Sequence, residues 1–194
     1  MDVQESRVQT DRILTVPNVL SVVRLLGVPL FLWLVLVREA DGWAVVVLAI
    51  SGVTDYLDGK LARRWHQVSR LGQLLDPLAD RLYILSTIVA LTLREIIPLW
   101  FAALLVARDV FLLLLVPALR RRGLSALPVH FLGKAATFCL LYALPLLLLG
   151  DGDSTIALLA RVFGWAFGIW GLVLYWWAGI LYAMQVRRLL KAAS

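Results

Sequence analysis

The sequence has little of what a water-soluble protein needs to cover its surface. Only 16% of its 194 residues are charged and 61% are hydrophobic, whereas soluble domains are about 25% charged and roughly 45–50% apolar. The one cysteine, Cys139, excludes an intrachain disulfide and a cysteine-based metal cluster. With a mean hydropathy of +0.85, we expect an integral membrane protein that has no separate soluble domain.

The apolar residues fall into stretches of about 20 residues, the length at which a helix crosses a bilayer. Six are present, at 18–37, 43–61, 74–93, 96–119, 131–149 and 157–186. They lack the alternation of barrel strands. The sequence predicts an all-α membrane protein with six transmembrane helices. Its expected parts are an N-terminal segment at 1–17, a catalytic domain at 18–186 and a basic tail at 187–194.

Basic residues gather at alternate ends of these stretches. Cytoplasmic loops carry the excess of lysine and arginine, so both termini are expected in the cytoplasm and the protein in the plasma membrane. The net charge of +6 then reflects topology and attraction to anionic lipid headgroups. No basic stripe with interleaved aromatics is present, which argues against nucleic acid as a partner. The groups on the expected cytoplasmic side are Arg7 and Arg12; Arg63, Arg64 and Arg70; Arg120, Arg121 and Arg122; and Arg187, Arg188 and Lys191.

Four aspartates lie where the second and third stretches approach each other. Asp55 and Asp58 are three residues apart, and Asp76 and Asp80 are four apart. On helices each pair shares one face. Because the connection between the stretches is short, the helices are expected to be antiparallel neighbours. The four carboxylates would then converge.

Converging carboxylates repel one another in a partly dry site, so they must protonate, pair with cations or bind metal. An all-oxygen ligand set suits Mg²⁺ or Mn²⁺, and four carboxylates suit two ions. Two alternatives remain open from the residues alone. The carboxylates can pair with neighbouring basic residues, or they can line a cation-transport path. The basic residues near them are Lys60, Arg63, Arg64 and Arg81.

Small residues accompany the aspartates. Gly59, Ala62 and Gly72 leave room for a flat ligand such as a nucleotide to approach the backbone. Arg63 is placed to bind a phosphate through two parallel hydrogen bonds. A cation path has no need of these features, so they favour an enzyme over a transporter.

Other features keep two interpretations each. Gly164, Gly168 and Gly171 form a small-residue face that suits helix packing within the chain or, less favoured, dimerisation. Arg24 either extends to the cytoplasmic headgroups or approaches the site. The two histidines, His66 and His130, are interpreted as loop or interface residues rather than metal ligands.

Together these residues resemble a known signature. Asp55-x-x-Asp58-Gly59-x-x-Ala62-Arg63, then eight residues, then Gly72-x-x-x-Asp76-x-x-x-Asp80 resembles the motif of the CDP-alcohol phosphatidyltransferase family. Thr15-Val16-Pro17-Asn18-x-Leu20-Ser21-x-x-Arg24 resembles the family's usual entry into the first helix, and Lys134 matches a lysine of the fifth. The resemblance covers nearly the whole chain.

The resemblance implies a six-helix membrane enzyme, commonly a homodimer, whose two-metal site faces the cytoplasm. It implies that the four aspartates are the metal ligands and that Asp80 is also the general base. The donor CDP-diacylglycerol would be held by Asp58, Gly59, Ala62, Arg63 and Gly72.

The acceptor is less constrained and is either a lipid or a polyol phosphate. Arg108-Asp109, where glycerol-phosphate-type relatives show Arg-Glu, and the aromatic Tyr175-Trp176-Trp177 resemble the members that release CMP and form cardiolipin from phosphatidylglycerol. This acceptor is favoured over glycerol 3-phosphate. The residues expected to bind it are Arg108, Lys134 and Arg120.

Overall fold

The computed structural model describes residues 16–65, 70–120 and 131–192; among these, the side chains at 16–21, 55–65, 70–78, 80, 115–120 and 188–192 lie outside the description. All regular structure in the described ranges is helical, as predicted. The helices are α1 (Val16–Leu36), α2 (Asp41–Trp65), α3 (Arg70–Leu93), α4 (Leu99–Arg120), α5 (Phe131–Leu149) and α6 (Thr155–Ala192).

The helices match the six predicted stretches to within a few residues, with one larger difference. The 38-residue helix α6 continues to Ala192 and includes most of the expected tail. Among the residues whose side chains are described, two segments, Phe131–Leu149 and Thr155–Arg187, are long and apolar enough to cross a membrane. Shorter apolar segments occupy parts of α1, α2 and α3. Pro29 and Pro145 lie inside α1 and α5, an arrangement that membrane helices tolerate.

The chain divides into two compact units, Met1–Leu93 and Arg94–Ser194. In the first unit, α1 packs against both α2 and α3. Its core contains Phe31 and Val35 of α1 together with Ala44 of α2 and Leu91 of α3, all fully buried. The ring of Phe31 also meets that of Tyr83 at a centroid distance of 6.4 Å. This unit contains the helices that carry the four signature aspartates.

In the second unit, α6 packs along α5 and also contacts α4. The contact uses the small-residue face of α6. A Cβ atom at Gly164 would lie 2.9 Å from the backbone nitrogen of Leu147, and one at Gly171 would lie 3.1 Å from the Cβ of Cys139. Gly168 faces Phe101 of α4. The favoured interpretation of this face, packing within the chain, is confirmed.

The short connection before α6 is closed by polar contacts. The hydroxyl of Ser154 accepts a hydrogen bond from the backbone N–H of Ala157 at 3.1 Å and caps the helix. Arg94 donates to the carboxylate of Asp151, which joins the connection after α3 to the connection after α5. These contacts fix the end of the second unit that lies opposite the expected cytoplasmic side.

The space around two helical glycines predicts opposite effects on stability when each is replaced by alanine. Gly164→Ala places a methyl group against the backbone of Leu147, so we expect it to destabilise the protein by about 1–3 kcal/mol. Gly52→Ala adds a methyl group where nothing lies within 4 Å and should stabilise α2 by about 0.5–1 kcal/mol. Thermal unfolding of both variants in the same detergent measures the difference. Equal stability of the two would contradict the packing described.

Candidate functional site

The signature residues are divided between two helices. Asp55 and Asp58 lie on the last third of α2, and Asp76 and Asp80 lie on the first half of α3. The donor-site residues Gly59, Ala62 and Arg63 follow on α2, and Gly72 begins α3. The side chains at these positions lie outside the description, so convergence of the carboxylates stays a prediction. Among the described side chains, no three of the metal-ligating types come together.

The described part of α2 and α3 shows how the two helices meet. The side chains of Ser51 on α2 and Tyr83 on α3 lie within hydrogen-bonding reach of each other and line the same cavity. These residues lie at nearly equal distances along the chain from the connection at 66–69. Two positions equally far from a short connection come close together when the helices on its two sides run antiparallel and side by side. The expected antiparallel arrangement of α2 and α3 is therefore present at this level.

A cavity of about 320 Å³ lies beside this contact, between α1, α2 and α3. We call it the α1–α3 cleft. Its polar lining includes Arg24, Ser51 and Tyr83, one residue from each helix and all three buried. Thr54 of α2 also lines it, and its hydroxyl donates to the backbone carbonyls of Ile50 and Ser51. The apolar wall is formed by Val23, Leu26, Leu30, Val47 and Ile50.

Two details show that the polar wall is closely built. A Cβ atom at Gly27 would collide with the hydroxyl of Tyr83, so only glycine allows the Tyr83 side chain to reach this position. Arg24 is 3% exposed. Its side chain therefore lies within the three-helix unit rather than extending to the headgroups, and its approach to the aspartates stays a prediction.

A second polar cluster joins α4 to α6. Arg108 donates from Nη1 to Asp109 Oδ1 at 3.0 Å and from Nε to the carbonyl of Tyr175 at 3.3 Å. The Tyr175 hydroxyl donates to the same Asp109 oxygen at 2.6 Å, and the guanidinium lies 3.7 Å above the Tyr175 ring centroid. The charge of Arg108 is thus balanced by Asp109, whose side chain is 59% exposed.

The aromatic residue that follows Tyr175 on α6 also contacts α4. Trp176 Nε1 donates to the carbonyl of Leu104 on α4 at 3.2 Å. Together with Leu172, Val173 and Ile180, these residues line an open apolar groove. The second unit therefore has an open groove with aromatic side chains in its wall, and its use by a lipid substrate stays a prediction.

The other expected acceptor residues are placed less fully. Lys134 is exposed near the start of α5. Arg120 ends α4, and its side chain is outside the description. The gathering of Arg108, Lys134 and Arg120 around one acceptor stays a prediction. His66 and His130 lie outside the described residues.

Sequence reasoning missed Gly27, Ser51 and Tyr83. A signal was available, since Ser51 precedes Asp55 by four residues and Tyr83 follows Asp80 by three. Each therefore continues the aspartate-bearing face of its helix by one turn. The sequence around Ser51 and Tyr83 does not show that they are buried, so they could not be told apart from serine and tyrosine residues at the helix surface.

Comparison with known proteins agrees with the signature. A family model for CDP-alcohol phosphatidyltransferase matches residues 14–177. The chain is 66% identical to the cardiolipin synthase (CMP-forming) of Streptomyces coelicolor over 99% of this chain and 92% of the relative. A putative cardiolipin synthase of Mycobacterium tuberculosis is 48% identical over 93% of this chain and 87% of the relative.

A more distant relative shares only part of its length. The human cardiolipin synthase (CMP-forming) is 40% identical over 57% of this chain and 36% of the relative.

The family match decides against the cation-transport interpretation of the aspartates. It explains the small residues and the arginine beside them, which an ion path does not require. The chain, a helical membrane protein, belongs to the CDP-alcohol phosphatidyltransferase family.

Proposed function

We propose that this protein transfers a phosphatidyl group from CDP-diacylglycerol to a hydroxyl of phosphatidylglycerol, producing cardiolipin and CMP. The observation that carries the proposal is 66% identity, along nearly the whole chain, to a relative named for cardiolipin synthesis with release of CMP. In the reaction the acceptor oxygen bonds to the phosphorus that bears diacylglycerol. The bond from that phosphorus to CMP breaks, and the acceptor proton is transferred to a base.

The backbone register of α2 and α3 supports a metal site at the signature. Extending the antiparallel register of Ser51 and Tyr83 toward the connection brings position 58 level with 76, and position 55 within one residue of 80. An all-carboxylate set at this level fits hard divalent cations and offers no soft ligand. Asp55, Asp58, Asp76 and Asp80 would hold Mg²⁺ or Mn²⁺, with two ions as the expected number.

The remaining chemistry follows from the residue types. When bound, divalent cations neutralise charge on the pyrophosphate and on the departing CMP. Asp80 takes the proton from the acceptor hydroxyl. Arg63 binds a donor phosphate through its two-pronged guanidinium, while Gly59, Ala62 and Gly72 admit the nucleotide close to the backbone.

The membrane arrangement that supports this reaction has six spans and both termini in the cytoplasm, within the plasma membrane. The alternate grouping of basic residues supports this orientation. CMP then leaves into the cytoplasm while the lipid chains remain between the helices. A homodimer is expected from the family resemblance. Its interface would use surfaces other than the face of Gly164, Gly168 and Gly171, which is filled by α4 and α5.

The acceptor is tested directly with purified protein. We expect cardiolipin and CMP from phosphatidylglycerol and CDP-diacylglycerol in the presence of Mg²⁺ or Mn²⁺, because the lipid acceptor suits the apolar and aromatic walls. Soluble glycerol 3-phosphate should be a poor substrate. Formation of phosphatidylglycerol phosphate without any cardiolipin would replace the proposed acceptor by glycerol 3-phosphate. Release of no CMP with any acceptor would reject the transferase assignment.

Substitution of the signature carboxylates tests the metal site. Asp55→Asn, Asp58→Asn, Asp76→Asn and Asp80→Asn each remove a ligand or the base, so each should lower the rate of CMP release by about 10²-fold or more. Asp153→Asn changes an exposed carboxylate in the connection between α5 and α6 and serves as the matched control. Chelation should abolish wild-type activity, and Mg²⁺ or Mn²⁺ should restore it. Near-normal rates for Asp58→Asn or Asp76→Asn would move the metal site elsewhere.

The donor pocket is tested by three substitutions. Arg63→Lys keeps the charge but loses the paired hydrogen bonds, so the apparent KM for CDP-diacylglycerol should rise about tenfold. Gly59→Leu and Ala62→Leu should block the nucleotide sterically. Unchanged donor KM in all three variants would remove these positions from the pocket.

A further inference from the structure

The side chain of Tyr83 connects the three helices of the first unit. It begins on α3 and is buried. Its hydroxyl is placed where a Cβ atom at Gly27 of α1 would collide with it, and it lies within hydrogen-bonding reach of Ser51 of α2. One side chain of α3 therefore contacts α1 and lies beside α2 at a single level of the unit.

The Tyr83 hydroxyl is held in place from both ends of the side chain. A tyrosine ring is rigid apart from its two side-chain torsions, and the ring of Tyr83 meets that of the fully buried Phe31 at a centroid distance of 6.4 Å. At the other end, the hydroxyl reaches the surface of α1 at Gly27. Because a close-packed interior accepts an added methyl group only by shifting, this contact sets the separation of α1 and α3.

A hydroxyl group is not needed merely to fill this space. Phenylalanine would supply the same ring, and burying a hydroxyl among apolar side chains is unfavourable unless a partner is within reach. Ser51 provides that partner on α2. The two hydroxyls therefore select one arrangement of α2 and α3, in addition to the apolar surface that the helices bury.

This contact lies about one helical turn from the signature positions. Ser51 and Asp55 are four residues apart on α2, and Tyr83 and Asp80 are three apart on α3. One turn corresponds to about 5.4 Å along the helix axis. Since a helix is stiff over this length, a displacement of α3 at Tyr83 also moves the backbone at position 80. Mg²⁺ requires nearly ideal octahedral geometry at about 2.0–2.1 Å, so its binding there would be sensitive to such a displacement.

We propose that Tyr83, seated against Gly27, is a positioning residue for the metal site. It acts through α3, because it holds the helix that carries Asp76 and Asp80 at one distance from α1 and beside α2. This inference rests on the proposed function, since the metal ligands are those proposed above. It requires no contact between Tyr83 and a metal ion or a substrate.

The first test overfills the contact between α1 and α3. Gly27→Ala places a methyl group against the Tyr83 hydroxyl and should displace α3. The dissociation constant for Mn²⁺, measured by electron paramagnetic resonance on the purified protein without lipid substrates, should therefore rise about tenfold. The Mg²⁺ concentration for half-maximal CMP release should rise with it, whereas the KM for CDP-diacylglycerol at saturating Mg²⁺ should stay unchanged.

The matched control for this test is Gly52→Ala in the same unit. It makes the same substitution on α2, where nothing lies within 4 Å of the added methyl group. This variant should bind Mn²⁺ as the wild type does. Equal weakening of Mn²⁺ binding in both glycine variants would contradict a specific role of the Gly27 contact.

The second test restores the contact by a compensating change. Tyr83→Phe alone removes the oxygen and leaves a gap beside Gly27, so Mn²⁺ affinity should fall several-fold. In the double variant Gly27→Ala/Tyr83→Phe, the new methyl group meets the ring carbon Cζ, which lies 3.4 Å from the Cβ position. The methyl group then takes the place of the lost oxygen, so Mn²⁺ affinity should return to within about twofold of the wild type.

A purely structural role of Tyr83 gives a different pattern. Single variants that unfold at a lower temperature but bind Mn²⁺ as the wild type does would show ordinary core packing and overturn the proposal. A double variant that combines the two single losses in full would also overturn it, because the changes would then act independently. If Gly27→Ala does not fold, a double variant that binds Mn²⁺ no better than Tyr83→Phe contradicts the restored spacing.

Failure of the proposed metal site is distinguishable from failure of the positioning role. An unchanged Mn²⁺ dissociation constant in Asp58→Asn would reject the signature as the metal site, and the positioning role with it. Loss of Mn²⁺ binding in Asp58→Asn, together with wild-type binding in Gly27→Ala and Tyr83→Phe, would reject the positioning role alone.

Discussion

The packing of α1 against both α2 and α3 is the constraint on which the first unit depends, and the contact between Ser51 and Tyr83 marks the level at which α2 and α3 meet. Slipping one helix by one turn would change which positions of α2 lie level with positions 76 and 80 of α3. A hydrogen bond between hydroxyls, surrounded by apolar side chains, is worth more there than in water because no water competes for it. Gly27 is part of the same constraint, since only its missing side chain admits the Tyr83 hydroxyl.

In the second unit, a charged side chain is accommodated within apolar helices. Arg108 is neutralised by Asp109, and the Tyr175 ring covers its guanidinium. A cation and an anion on adjacent residues of α4 are thereby tied to α6 through one tyrosine. The groove beside them remains apolar and aromatic. The charged side chains that join α4 to α6 therefore lie apart from the apolar groove.

Composition and periodicity were sufficient to predict the helices, since each apolar stretch is long and continuous. The signature aspartates could be placed on α2 and α3 for the same reason. The α1–α3 cleft could not, because Arg24 of α1 and Ser51 of α2 become part of one wall only when α1 packs against α2 and α3. Packing of Gly164 within the chain was predicted as the favoured of two outcomes. Its contact with Leu147 was not predicted, because the spacing of small residues on one helix does not show which helix packs against them.

The exposed rim of the α1–α3 cleft also determines which concentration matters for a molecule that enters there. Val23, Leu26 and Ile50 face the surrounding lipid rather than water. Molecules that reach such an opening arrive by two-dimensional diffusion, and their supply depends on their proportion among neighbouring lipids rather than on an amount per volume. A molecule that entered the cleft through this side would follow membrane composition, and its supply would be unchanged when the same membrane is diluted in water.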